Sequence, residues 1–375
     1  DPDLNKQEIR EDSDFELDPI DAAIKFQNFD FNAISPGTEF MKQLADAIRL
    51  KFEEWQLLMP NVTFIIDDSH SPGEGEHKIV HHVKSNFPGV NETIVIYGLD
   101  ADLIFLSLSL HHPATYLIRE NTFQEPVLGS NLTPPKYLIV EISSLESAII
   151  NLITNTEPVN NLDCSEIALE ISLPVQTEGV LGFDRKRLIN DYIAINFFLG
   201  NDFVSRFFSL SIKNGGCEII LETYRRTLRE RSLIPLSGFL TPTYLVEQQT
   251  RDDAQFGYNL PFLVAILERL AKHEAMWFQN PDKYFPFTKR DLGPVKQALE
   301  SYSIVPKWRH YLPREAMPTR DNHIGYQSAV ENYYHLLFGT LNVKGILTEY
   351  LKSLIWTLNY YLDRCLDFNY YYPYN

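Results

Sequence analysis

Cysteine is scarce. The chain has three, Cys164, Cys217 and Cys365, far apart and with no C-x-x-C pair. That spacing excludes a disulfide framework and a cysteine zinc module, and it points to a reducing compartment. No apolar run approaches the roughly 20 residues that a membrane helix needs. The first residues carry no signal-peptide pattern, so the N-x-T sequons at Asn61, Asn91 and Asn131 are expected to lie there by chance. Basic residues are outnumbered: 33 Lys and Arg face 50 Asp and Glu, for a formal net charge of −17. A chain that binds phosphate backbones by charge alone needs the opposite balance. An acidic balance suits a site that collects divalent cations, although most of the acids are solvated surface. Internal repeats and low-complexity tracts are also missing, which excludes a solenoid.

What is present is core-forming material. Apolar residues make up 44% of the 375 and aromatics 13%, which excludes a disordered chain. The length exceeds one ordinary core, so two domains are expected. Residues 1–28 read as an acidic tail. Met41, Leu44, Ala45, Ile48, Phe52 and Trp55 recur at helical spacing, with Ser35–Pro36 or Thr38 as the N-terminal cap. "VTFIID" (62–67), "ETIVIYG" (92–98) and "TYLIRE" (115–120) read as strands, the second one buried. Helices are expected over "HKIVHHVKSNF" and "LDADLIFLSLSL". Strand–helix alternation with short connections predicts an α/β fold with a mostly parallel sheet flanked by helices. Residues 123–180 contain "PVLGSNLTPPKY" and read as a linker or insertion, with a helical piece near 144–154. Residues 181–375 read as an all-helical domain. Its last stripe, Ile346, Tyr350, Leu354, Leu358 and Tyr361, has the spacing of core packing.

Three acidic clusters each adjoin glycine: G-E-G-E at 73–76, G-L-D-A-D at 98–102 and G-N-D at 200–202. The bland readings are ordinary. D-x-D after a strand also caps a helix, and G-N-D also ends one. In α/β sheets, however, ligands bind beyond the carboxyl ends of strands. Glu74, Glu76, Asp100 and Asp102 all fall there if the strands are as read. Converging carboxylates repel one another unless cations neutralise them, and an all-oxygen set suits Mg²⁺ or Mn²⁺ rather than zinc. Two such ions about 4 Å apart clamp the attacking and leaving oxygens of a phosphodiester. The pattern therefore predicts metal-dependent phosphoryl chemistry.

The blocks "FDFNAISPGTEFM" (29–41), "SPGEGEHKIV" (71–80), "YGLDADLIFLSL" (97–108), "YLIRE" (116–120), "FFLGNDF" (197–203) and "YLKSLIWTLNYYLDRCLDFNYYYPYN" (350–375) resemble, in order and spacing, the signature blocks of the XRN family of 5′→3′ exoribonucleases. "PGTEFM" and "YGLDADLI" are more similar to its cytoplasmic mRNA-decay branch, which implies a cytoplasmic location, with the nucleus as the alternative. The resemblance implies a flap-nuclease- or PIN-like sheet domain over 29–122 and a helical domain over 181–375. It implies hydrolysis of single-stranded, 5′-monophosphorylated RNA to 5′-mononucleotides with two Mg²⁺, or Mn²⁺, in RNA turnover. Decay-factor protein partners fit that setting, and a membrane does not. Carried over by motif, Glu74, Glu76, Asp100, Asp102 and Asp202 are the catalytic metal ligands. His77 and Lys78 either face phosphate from behind the ligands or are ordinary helix-start residues. Trp356 either stacks a base or packs in the core.

Two departures qualify the resemblance. Family members carry, ahead of "PGTEFM", a segment with two more metal aspartates and a basic helix that grips the 5′-phosphate. Residues 1–28 show no motif of it, so the nuclease core is read as incomplete at its N-terminus and the chain as a fragment of a longer enzyme. After Asp202 the chain reads Val204–Ser205–Arg206, where the family has leucine–proline–histidine. The alternatives are an inactive XRN-like RNA-binding or scaffold protein and a structure-specific DNA nuclease of the wider superfamily.

Overall fold

The computed structural model describes residues 30–87, 91–121, 135–154, 182–207, 210, 212, 215–232, 242–248, 256–279, 338 and 342–374. The acidic tail and most of the linker expected from the sequence lie outside these. The chain divides into two compact units, Asp1–Gly75 and Glu76–Asn375.

In the first unit, helix α1 spans Glu39–Leu58, and Thr38 is its N-cap, its Oγ1 accepting the amide of Met41 at 3.3 Å. Of the apolar face read from the sequence, Ala45 is buried, while Leu44, Ile48 and Trp55 remain more than a third exposed. Phe52, Trp55 and Phe64 pack ring against ring at 5.3–6.2 Å. The strand expected over 62–67 does not form. A strand needs a neighbouring backbone to complete its ladder. Here the side chain of Gln56 takes that place: its Nε2 donates to the carbonyl of Val62 at 2.6 Å, and its Oε1 accepts the amide of Phe64 at 3.4 Å. Arg49 then pairs with Asp68 at 2.6 Å.

The second unit opens with α2 (Gly75–Asn86), followed by β1 (Ile94–Tyr97), α3 (Asp102–Ser109) and β2 (Thr115–Glu120). β1 and β2 pair in parallel, from Ile94 opposite Thr115 to Tyr97 opposite Ile118, with α3 as the crossover. β3 (Tyr137–Glu141) pairs antiparallel with β2 and leads directly into α4 (Ile142–Thr154). The described sheet is therefore mixed, order β1-β2-β3, and not mostly parallel. Residues 137–154, which read as part of a linker, contribute a strand and a helix to it. The alternation in β3 (Leu138 and Val140 half-buried) is too short to stand out in the sequence. β1 buries Ile94 and Ile96, but Val95 and Tyr97 are exposed among the described residues, so it is buried on one face only.

The helical layer comprises α5 (Arg185–Asn196), α6 (Gly216–Ser232), α7 (Leu260–Gln279) and α8 (Val343–Leu362). Asp184 caps α5 by accepting the amides of Lys186 and Arg187. The layer is not all-helical: β4 (Val246–Gln248) and β5 (Phe256–Tyr258) form an antiparallel pair within it. Buried Asp191 on α5 anchors β4. Its carboxylate accepts the amides of Leu245 and Val246 and the hydroxyl of Tyr224, all at 2.7–2.8 Å. One continuous core joins Leu103, Leu106 and Leu117 of the sheet region to Leu188, Ile193, Phe198, Phe262 and Leu358 of the helices. The α8 stripe is buried at Ile346, Leu354, Leu358 and Tyr361, as core packing requires.

Candidate active site

β1 ends at Tyr97, and the chain turns through Gly98, Leu99 and Asp100 into α3. A Cβ on Gly98 would meet the tip of the Leu103 side chain, which would have to turn aside. Arg119, near the end of β2, donates to the Leu99 carbonyl at 2.8 Å and fixes the turn. Ala101, the N-cap residue, offers no side-chain bond. Asp100 supplies it instead: its Oδ1 accepts the amide of Asp102 at 3.0 Å. The helix-capping reading of D-x-D thus holds for Asp100 and leaves Asp102 as the first helical residue. Both sit where the positive end of the helix dipole favours a carboxylate.

The G-N-D turn follows a 3₁₀ turn at Phe197–Leu199. Gly200 has φ +87°, and a Cβ there would lie 2.9 Å from Arg206 Cβ and 3.0 Å from its backbone nitrogen. Only glycine fits that backbone. Asn201 then holds the turn, its Oδ1 accepting the amides of Phe203 and Val204 at 3.0 and 2.8 Å. Asp202 is exposed.

Asp100, Asp102 and Asp202 share one electrostatic field. Partial burial pushes Asp102 above the ordinary carboxylate range; the hydrogen bond from Tyr361 pulls it back, and the charges of Asp100 and Asp202 push it up again. Tyr361 Oη donates to Asp102 Oδ2 at 2.7 Å. Like charges gathered at a half-buried acid are the condition that a hard divalent cation relieves, and the all-oxygen donor set suits one. Among the described residues, however, no three His, Cys, Asp or Glu side chains stand close enough to hold an ion. The three aspartates are a charge-coupled group and not a closed coordination shell.

Glu74 and Glu76 are placed differently from the sequence reading. They do not follow a strand; they flank the start of α2. Glu74 belongs to the first unit and Glu76 to the second. Gly73 has φ +100° and needs to be glycine, whereas a Cβ on Gly75 would touch nothing within 4 Å. His77 is buried, not a surface residue. Its ring stacks on Tyr360 at 3.6 Å, and its Nδ1 donates to the Tyr360 carbonyl at 3.1 Å. Burial pulls His77 down to about 4, so it is neutral at physiological pH. Lys78 is half-buried beside it. Trp356 packs on Phe203, Tyr360 and Tyr370, and its indole donates to the Asp367 carbonyl at 2.9 Å.

Sequence reasoning misses Tyr361, which it places in the core stripe. The ring is indeed core, at 1% exposure. The signal is the hydroxyl: a buried tyrosine needs a hydrogen-bond partner, and that partner is often the informative residue. Arg119 is also passed over, although its long side chain reaches back to the turn before the aspartates.

A βαβ unit with an acidic strand exit, continued into a helical layer that reaches back to that exit, defines a mixed α/β architecture. Comparison with known families gives it a name. Residues 3–121 match the model described as the XRN 5′-3′ exonuclease N-terminus, and residues 182–274 match the Xrn1 helical domain. Together these cover more than half of the chain, which belongs to the XRN family. The first match begins at residue 3, so it takes in most of the N-terminal segment 1–28. Relatives named 5′-3′ exoribonuclease 2 include those of Kluyveromyces lactis (30% identical, covering 84% of this chain and 31% of the relative), Saccharomyces cerevisiae (32%, 69% and 25%) and Arabidopsis thaliana (30%, 60% and 24%). The chain thus spans about a third or less of the length of these curated relatives.

Proposed function

We propose that this chain carries the acidic half of a metal-dependent 5′→3′ exoribonuclease site. The reaction hydrolyses single-stranded RNA with a 5′-monophosphate to 5′-mononucleotides. The observation that carries this reading is the field around Asp102: a half-buried carboxylate beside two exposed ones, each repelling its ionised form. Asp100, Asp102, Asp202 and Glu76, all of the second unit, would hold Mg²⁺, or Mn²⁺; Glu74 is read as a further ligand by its motif alone. A bound pair of such ions supplies a lowered pKa for water and charge neutralisation at the scissile phosphate. The chain's own part is placement. Asp100 rigidifies the strand exit by capping α3, Gly200 and Asn201 set the turn that presents Asp202, and Arg119 fixes the loop before the aspartates. His77, neutral and stacked, fixes the start of α2 beside Glu76 and Lys78. The sheet region is read as a flap-nuclease-like core, and the nucleic acid as RNA on the strength of the relatives' names.

A second reading is a non-hydrolysing RNA-binding or scaffold protein. What favours it is that no three metal-ligating side chains come together among the described residues. The place of action is read as the cytoplasm from the branch likeness of "PGTEFM" and "YGLDADLI". Among the described residues no helix is long and apolar enough to cross a membrane. Decay-factor proteins are the partner class.

The test is a degradation assay in Mg²⁺ with three substrates: 5′-phosphorylated RNA, the same RNA with a 5′-hydroxyl, and a flap DNA. The proposed function requires mononucleotide release from the first alone. Cleavage of the flap DNA would point to a DNA nuclease, and binding of RNA without cleavage to the scaffold reading.

A further inference from the structure

We infer that Tyr361 is a positioning residue for Asp102, and that the end of α8 is built to hold it there. This rests on the proposed metal-site reading of Asp102. Tyr361 Oη donates to Asp102 Oδ2 at 2.7 Å across 259 residues. At neutral pH a phenol keeps its proton and is a donor, so it constrains one carboxylate oxygen. Asp102 Oδ1 has no hydrogen bond among the described residues, and the charges of Asp100 and Asp202 act on the same carboxylate. Holding one oxygen leaves the other with a defined direction, which is how a neighbouring donor orients a ligating carboxylate.

The tyrosine is itself held from several sides. Its ring packs edge-on against His77 at 4.9 Å and against Phe197 at 5.0 Å. The backbone around it is tied down residue by residue. Asn359 Oδ1 accepts the amide of Phe256 at 2.8 Å while its Nδ2 donates to the Phe256 and Ile355 carbonyls. His77 Nδ1 donates to the Tyr360 carbonyl, and Lys84 Nζ to the carbonyls of Tyr361 and Leu362 at 3.4 and 2.8 Å. β5 and α2 thus fix residues 359–362, and with them the hydroxyl delivered to Asp102. A tyrosine kept only for packing would not need its hydroxyl on the one half-buried acid of the cluster.

The test is Mn²⁺ binding by titration calorimetry on the wild-type protein, Tyr361→Phe, Asp102→Asn and the double variant, with thermal melting beside it. Tyr361→Phe keeps the ring and removes the hydroxyl. Mn²⁺ affinity is expected to fall about tenfold or more, the usual cost of losing an outer partner of a ligand, with the melting temperature little changed. The double variant is expected to bind no more weakly than Asp102→Asn alone, because Tyr361 acts through Asp102. Wild-type affinity in Tyr361→Phe would overturn the inference and leave the metal-site reading standing. So would losses in the double variant that multiply, even if Tyr361→Phe folds less well, because that is what a purely structural role produces. Absence of Mn²⁺ binding by the wild type would overturn the metal-site reading and this inference with it.

Discussion

Lys84 Nζ donates to the carbonyl oxygen of Leu362 at 2.8 Å, joining two helices 278 residues apart in sequence. The last carbonyls of a helix have no partner within it, and a cation there also meets the negative end of the dipole. The site is dry enough that burial pulls the Lys84 ammonium down to about 8, so it is still charged at pH 7. Lys84→Met keeps much of the stem and removes the donor. Stability is expected to fall by about 1.5–3 kcal/mol, the range for a hydrogen bond to a charged group, read as a lower urea midpoint with unchanged slope.

Acid should weaken the fold through two histidines. Burial holds both His77 and His111 at about 4, against about 6.5 in an unfolded chain. Between those values the unfolded state binds more protons. The stability they provide is therefore complete above pH 6.5 and is lost as pH falls towards 4. Each tenfold loss of proton affinity on folding corresponds to about 1.4 kcal/mol. His77→Gln and His111→Asn (His111 has φ +50°, which asparagine tolerates) should each lose less stability than the wild type between pH 7 and 5, measured by urea unfolding at both.

Two of the glycines in the acidic motifs, Gly200 and Gly75, should behave oppositely. Gly200→Ala forces a Cβ to 2.9 Å from Arg206 and strains a φ of +87°. It should cost about 1–3 kcal/mol and disturb Asp202. Gly75→Ala meets nothing and has no positive φ, so its stability should change little or rise slightly. Thermal melts of the pair decide it.

How much of this is legible in the sequence follows from what each feature depends on. β2, α7 and α8 are readable because their periodicity is local and uninterrupted. The 62–67 strand fails because strand formation needs a partner, and no single-segment pattern reveals that Gln56 will take the backbone groups instead. β3 and the β4–β5 pair are too short for alternation to signal them. Within the site, Asp100, Asp102 and Asp202 are visible as acids beside glycine. Which acid caps and which is half-buried is not, because that depends on Tyr361, 259 residues away from Asp102. Gly75 looks as necessary as Gly200, since composition alone does not distinguish a required positive φ from a convenient helix start.

Asp191 gives a further check on the helical layer. It is fully buried, and burial pushes its carboxyl up to about 7, opposed by the two amides and the Tyr224 hydroxyl that it accepts. Asp191→Ala would leave three buried donors without an acceptor, each worth about 1–3 kcal/mol. A loss of at least about 3 kcal/mol is expected in chemical denaturation. A loss under about 1 kcal/mol, below the cost of even one orphaned donor, would mean that β4 is held by something else.

The most direct measurement of the acidic cluster's role is the rate of degradation of 5′-phosphorylated RNA in Mg²⁺ by the wild-type protein and by the Asp100→Ala, Asp102→Ala double variant. Metal-borne charge stabilisation is worth several kcal/mol at the transition state, and each 1.4 kcal/mol is about tenfold in rate. The account predicts Mg²⁺-dependent degradation by the wild type, a fall of at least about a hundredfold in the double variant, and a cooperative melt at a lowered temperature, since the variant also loses the Asp100 cap and the acceptor of the Tyr361 hydroxyl. Degradation by the double variant at the wild-type rate would contradict it.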